Sequence, residues 1–171
     1  MPLGVCACCN LAAWSEQASL HILYRCATEK IHRDMHLLTL DDHLKCIDDR
    51  TVAHTQIGKC IMSTASFAPG VGAFESNGQV HWIRFAANAQ PIAAPGAAQN
   101  RKHPSIAVNS RGEVLLAWTE DSSWNKGGRL AWQLFDAAGK PTGDIARGED
   151  LPPFSLPAAL ARPNGAFVIV Y

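Results

Sequence analysis

The feature that most limits how this chain can fold is a repeat. "HPSIAVNSRGEVLLAW", residues 103–118, and "LPAALARPNGAFVIVY", residues 156–171, both place proline second, glycine tenth and an aromatic sixteenth. "CNLAAWSEQASLHILY", from Cys9 to Tyr24, fits the same frame with Ala18 at the glycine position. "CIMSTASFAPGVGAF", from Cys60 to Phe74, fits it with one residue deleted. The four starts, Cys9, Cys60, His103 and Leu156, lie 51, 43 and 53 residues apart. A period of that size belongs to architectures in which each unit buries its apolar face only against a neighbour.

The content of each repeat says which architecture. Helical periodicity is weak, while "LHILYR", "QVHWIRF", "EVLLAW", "RLAWQLF" and "AFVIVY" show the apolar alternation of short strands. "ESNGQV" is an Asn-Gly hairpin signal, and "NSRGE" and "RPNGA" each set a glycine before a strand. Units of about 40–50 residues made of short antiparallel strands and tight turns predict an all-β chain of β-propeller blades, four strands to a blade. The blades run over about 5–56, 57–100, 101–152 and, in part, 153–171. In the third, strands are expected near 105–109, 113–119, 129–135 and 140–147. A propeller closes as a ring, so three and a half blades read as an incomplete set within a longer protein. The alternative is a half-propeller that dimerises.

Composition narrows the partners. Fifteen basic and fifteen acidic side chains leave no net charge and no basic stripe, which argues against nucleic acid as a partner. No apolar run approaches the roughly 20 residues of a membrane span. "MPLGVCACC" has neither the charged region nor the apolar stretch of a signal peptide. Six cysteines, by contrast, are more than a chain of this size usually carries in a reducing compartment.

"TLDDHLKC", residues 39–46, resembles a worn Asp-box turn, with Thr39 and Asp41 in place, His43 where glycine is usual and Cys46 where the aromatic is usual. The order "CACC", "YRCATEKIHRDMHLLTLDD", "GKCIMS" and "RKHPSIAVNSRGEVLLAWTE" resembles bacterial sialidase-like (BNR-repeat) proteins of the exo-α-sialidase type, over essentially the whole chain. The resemblance implies a six-bladed propeller, mostly without established activity, in a secreted or periplasmic protein. It also implies where catalysis would need support: an arginine triad, a tyrosine with an acidic partner, and an acid/base carboxyl. The Arg-Ile-Pro motif of the first arginine is absent, and Tyr24 sits within a strand pattern where a core aromatic is the plainer reading.

In a propeller, residues preceding the innermost strand ring the channel mouth. Cys9, Cys60 and His103 open their repeats, and Cys6 and Cys8 lie just upstream. Thiolate and imidazole suit zinc or copper, and Cys6–Cys9 has C-x-x-C spacing, although no second pair completes a structural zinc site. In an exported protein, Cys60 would instead pair with Cys8 or Cys9 as a staple between blades. Inert buried thiols are the third reading. Neither haem attachment nor a thioredoxin-like site fits, because residue 10 is Asn and the context is β.

The loops over the same mouth supply Glu29, His32, Arg33 and Asp34, then Glu120, Asp121, Trp124, Asn125 and Lys126. Trp124, Asn125 and Arg33 are the candidate ligand-binding residues, for a carbohydrate or a protein, against the plainer role of loop anchors. Arg33 and Asp34 equally suit a buried pair steadying their loop. Arg33, Asp34 and Glu120 are the catalytic candidates of the alternative function, a sialidase-type glycoside hydrolase. The first reading is a non-catalytic binding module.

Overall fold

The computed structural model describes residues 10–27, 31–56, 62–86, 88–98, 100–123 and 125–171. Among these the chain is all-β and forms four antiparallel sheets that do not close on one another. The first holds β1 (Ala12–Glu16), β2 (Ser19–Cys26), β3 (Asp34–Asp41) and β4 (Cys46–Ala53) in that order. The second holds β5 (Ser66–Ala68), β6 (Val71–Ser76), β7 (Gln79–Arg84) and β8 (Ile92–Ala93). The third holds β9 (Lys102–Val108), β10 (Val114–Glu120), β11 (Arg129–Phe135) and β12 (Ala146–Asp150). The fourth is a hairpin of β13 (Ala158–Ala161) and β14 (Phe167–Val170). The last strand of the third sheet begins later than the alternation suggests. Thr142 N–H is still bonded to Leu134 O, which holds the chain in a turn there.

The sheets stack in chain order, with an apolar layer between each pair. Leu23, Met35 and Leu37 meet Phe74 and Ile83 between the first and second. Trp82, Val71 and Val80 meet Trp118, Leu116 and Phe135 between the second and third. Leu115 and Ala117 meet Ala159, Phe167 and Ile169 between the third and the hairpin. β6 and β10 lie inside the stack and are buried along their whole length, which is why "VLLAW" reads as a continuous apolar run. β4 and β12 lie at sheet edges and are mostly exposed. The first two sheets approach closely enough at Gly72 that a Cβ there would come within 2.6 Å of Leu23 Cδ1 and 3.0 Å of Phe67 Cε1.

One turn recurs. Asp41 Oδ1 accepts the N–H groups of His43 (3.0 Å) and Lys45 (2.8 Å). Asp136 Oδ1 accepts those of Ala138 (3.0 Å) and Lys140 (2.8 Å), and Asn109 Oδ1 those of Arg111 (3.0 Å) and Glu113 (3.1 Å). The fourth residue of each turn has a left-handed backbone: Leu44 at φ 60°, Gly139 at 87° and Gly112 at 77°. In the turn at residues 41–45, then, Leu44 and not His43 holds the left-handed position that glycine fills in the other two. The side-chain oxygen adds two bonds to the backbone turn bond that Leu44, Gly139 and Gly112 each make to the first residue's carbonyl, which explains Asp or Asn at that position.

Strand pairing also shifts the repeat frame. The residues before the four aromatics, Leu23, Ala73, Ala117 and Val170, pair with Ala12, Ser66, Ser105 and Ala158. Two residues before those partners stand Asn10, Thr64, His103 and Leu156. By register, Asn10 and Thr64 therefore match His103, where the sequence frame has Cys9 and Cys60. The difference lies in the hairpins: β5 and β6 are shorter and joined by two residues, against five between β9 and β10. Residues deleted from a turn shift the numbering without moving the strands.

Candidate functional site

The sequence frame and the tertiary structure meet at His103. It sits in a bulge of β9, where Ala117 pairs with Ser105 but Thr119 with Lys102, so that His103 and Pro104 stand against Trp118 alone. The extra residue forces His103 into a left-handed backbone, φ 52°, uncommon for a residue with a side chain. Its N–H donates to Ser63 Oγ at 3.1 Å, which holds that conformation in place. Such strain is characteristic of sites where a side chain has been re-aimed.

The side chain faces a cavity of about 330 Å³. Three segments enclose it. The β10–β11 loop contributes Ser122, Ser123, Lys126 and Gly127, and is pinned by reciprocal backbone bonds between Ser123 and Lys126 (3.0 and 3.2 Å). The chain between β12 and β13 contributes Phe154, Ser155 and Leu156, and Met62 closes the remaining side. The two loops touch at Gly127, where a Cβ would collide with the carbonyl oxygens of Leu151 and Pro152. Met62 and Phe154 share the left-handed backbone of His103, at φ 47° and 68°.

The lining has a definite chemical character. Lys102 and Lys126 bring positive charge, three serine hydroxyls bring hydrogen-bond capacity, and Met62, Phe154 and Leu156 bring apolar surface. Among the described residues no carboxylate lines it. Burial, reinforced by the Lys102 charge, lowers the His103 pKa below its ordinary value and favours the neutral ring. His103 Nδ1 is buried and has no hydrogen-bond partner among the described residues. A neutral imidazole, hydroxyls and two ammonium groups can hold an anionic ligand with an apolar part, and among the described residues none of these hydroxyls is bonded to a base that would activate it.

The other candidates lie elsewhere. Glu120 is nearly buried and fully engaged: Arg147 Nε lies 2.8 Å from Oε2, Arg101 Nε 3.2 Å from Oε1, and Trp118 Nε1 donates to Oε1 at 3.3 Å. Burial opposes its ionisation, but hydrogen bonds from Arg147 and Trp118 and the two arginine charges prevail, so its pKa is lowered. Arg101, itself buried, also donates to Gln79 Oε1 (3.0 Å) and Pro95 O (2.7 Å) and lies over the Trp118 ring. This network joins the second sheet to the third. Its arginines were not picked out by spacing, since their partners lie across the fold.

Asp34 and Arg33 belong to the first sheet, not to the cavity. Asp34 Oδ1 accepts the N–H of Thr55 at 2.9 Å, and Oδ2 lies 3.3 Å from His54 Nδ1. Arg33 donates to His32 O at 2.7 Å, and its own N–H bonds to Thr55 O at 2.9 Å. These contacts tie the start of β3 to the end of β4. Asn125 is exposed and lies 3.5 Å from Ser123 Oγ, outside the cavity lining. Cys6, Cys8, Cys9, Cys60, Glu29 and Trp124 lie outside the described residues.

Among the described residues, no three or more His, Cys, Asp or Glu side chains are grouped to hold a metal. Cys26 is buried and Cys46 exposed, and neither is in a disulfide. No helix of the described residues is long and apolar enough to cross a membrane. Comparison with known proteins finds no family model that matches the chain and no curated protein that matches it.

Proposed function

We propose that this chain is part of a sialidase-like β-propeller and acts as a non-catalytic binding module, taking its ligand at the His103 cavity. The observation that carries the reading is the cavity itself: two lysines, three serines and a half-buried imidazole on a strained backbone beside three apolar side chains, with no carboxylate among its described lining. Three four-stranded sheets and a hairpin, stacked in chain order with their first strands adjacent, support the propeller. A groove of about 660 Å³ beside β14, lined by Trp132, Leu134 and Phe167, is where further strands of the fourth sheet would pack. Those strands would complete the partial fourth blade of the same proposal. Export and a disulfide from Cys60 to Cys8 or Cys9 also belong to it, as does the zinc or copper alternative at the same thiols.

Ligand titration followed by NMR tests the binding site. Small carboxylates bearing a sugar or an aryl group should produce saturable shifts at His103 and the Ser122 and Ser123 amides, lost when Lys102 and Lys126 are both changed to Ala. No shift at millimolar ligand would sink the reading. The glycosidase alternative asks Glu120 to be a proton donor, a role that its two arginines oppose by holding it ionised. Turnover of a fluorogenic sialoside would reverse that judgement.

A further inference from the structure

A second constellation lies far from the cavity, on the face of the first sheet turned away from the second. Register sets Tyr24 beside His36, and His36 beside Thr51, with Asp49 facing Leu38 two pairs further along β4. Side chains two apart on a strand share a face, so residues from β2, β3 and β4 converge. His36 Nδ1 lies 3.0 Å from Asp49 Oδ1, and His36 Nε2 lies 3.1 Å from Thr51 Oγ1. Tyr24 Oη donates to both Asp49 oxygens, at 3.0 Å each. Burial, and then the Asp49 carboxylate, push the Tyr24 phenol well above its usual range, so it remains a donor.

The Asp49 carboxylate can only accept, so Nδ1 carries an imidazole hydrogen, and in the neutral ring Nε2 then presents its lone pair to the Thr51 hydroxyl. A hydroxyl on Nε2, a carboxylate on Nδ1 and a second donor clamping that carboxylate form the arrangement that makes an alcohol nucleophilic. Thr51 and Asp49 are exposed, so a reagent can reach the hydroxyl from solvent. Neither the repeat nor the His103 cavity requires this arrangement.

We propose that Thr51 is an activated hydroxyl that accepts acyl groups from activated esters, with His36 as its general base and Asp49 and Tyr24 as positioning residues. Thr51 Oγ1 bonds to the ester carbonyl carbon while its proton passes to His36 Nε2. The bond from that carbon to the leaving oxygen then breaks, releasing a phenolate. His36 returns its proton to the phenolate or to water, and Thr51 carries the acyl group as an ester.

The full chain is exposed to p-nitrophenyl acetate, and acetylation is located by peptide mass spectrometry. Thr51 should label faster than the exposed Thr142 by about a hundredfold, the low end for general-base assistance. Thr51→Ser should keep the labelling and Thr51→Val should abolish it, both at an exposed edge position where the fold tolerates change. His36→Ala should slow labelling at least about tenfold, and added imidazole should restore part of the rate, a rescue that a purely structural role would not give. Tyr24→Phe should slow it less than His36→Ala. Equal labelling of Thr51 and Thr142, or a rate indifferent to His36→Ala in a folded variant, would overturn the proposal.

Discussion

Ser105 Oγ accepts the backbone N–H of Ala159 at 2.8 Å, joining the third sheet to the hairpin. The same link recurs one sheet earlier, where Ser66 Oγ accepts the N–H of Ile106 at 3.2 Å. Ser66 and Ser105 pair with the register-equivalent Ala73 and Ala117. A single side chain on each first strand thus satisfies a backbone donor of the next sheet, which sets the spacing between them. Between the first and second sheets the bond comes from Asn10, whose Oδ1 accepts the Ala65 N–H at 3.0 Å.

Ser105→Ala should therefore lower stability by about 1 kcal/mol, the usual net worth of such a bond. Ser110→Ala, at an exposed turn position, should change little. Urea unfolding of both variants measures the difference, and equal midpoints would refute the link.

Leu44 is 68% exposed and holds a left-handed backbone in a turn where glycine serves elsewhere in the chain. The strain of a side chain there exceeds the extra freedom glycine brings to the unfolded chain. Leu44→Gly should raise stability by about 0.5–1 kcal/mol, seen as an upward shift of the thermal midpoint.

Gly72 makes the opposite case. A methyl group there meets Leu23 and Phe67 in the layer between the first two sheets. Gly72→Ala should cost about 1–3 kcal/mol through overpacking. Pairing it with Leu23→Ala should recover part of that loss, which a double-mutant cycle would measure.

Acid should destabilise the fold in two stages. Burial lowers the pKa values of His21, His81 and His103, so below 6.5, the ordinary histidine value, the unfolded chain takes up protons that the folded one resists. Stability is full above that pH and falls as the pH drops through the lowered folded values. His81, stacked on Phe74 with its Nδ1 lacking a partner among the described residues, is the group to test: His81→Phe should flatten this stage. Glu120 adds a second loss below 4.5, because its lowered pKa stabilises the fold only while it is ionised. Glu120→Gln should remove that stage and, by leaving buried Arg101 without its counter-charge, cost about 3–5 kcal/mol at neutral pH. Unfolding midpoints measured across the pH range check both stages.

Strands and turns were legible because their signals are local. Alternation in "QVHWIRF" and "RLAWQLF" marks β7 and β11, and Asn-Gly at residues 77–78 marks the turn between β6 and β7. The side-chain groupings were not. Glu120 meets Arg147 across 27 residues, and Tyr24 meets Asp49 across 25, with no motif recording either pairing.

What the sequence determined on its own is the all-β character and the repeat, since both follow from the order of apolar, turn and aromatic residues along the chain. Tertiary structure alone decided which residues are equivalent and which meet. Hairpins of unequal length let Asn10 and Thr64 take the register positions that the repeat frame assigned to Cys9 and Cys60. A bulge in β9, between Lys102 and Ser105, turned His103 toward a cavity. Inter-strand hydrogen bonding fixes register, and register decides which side chains share a face.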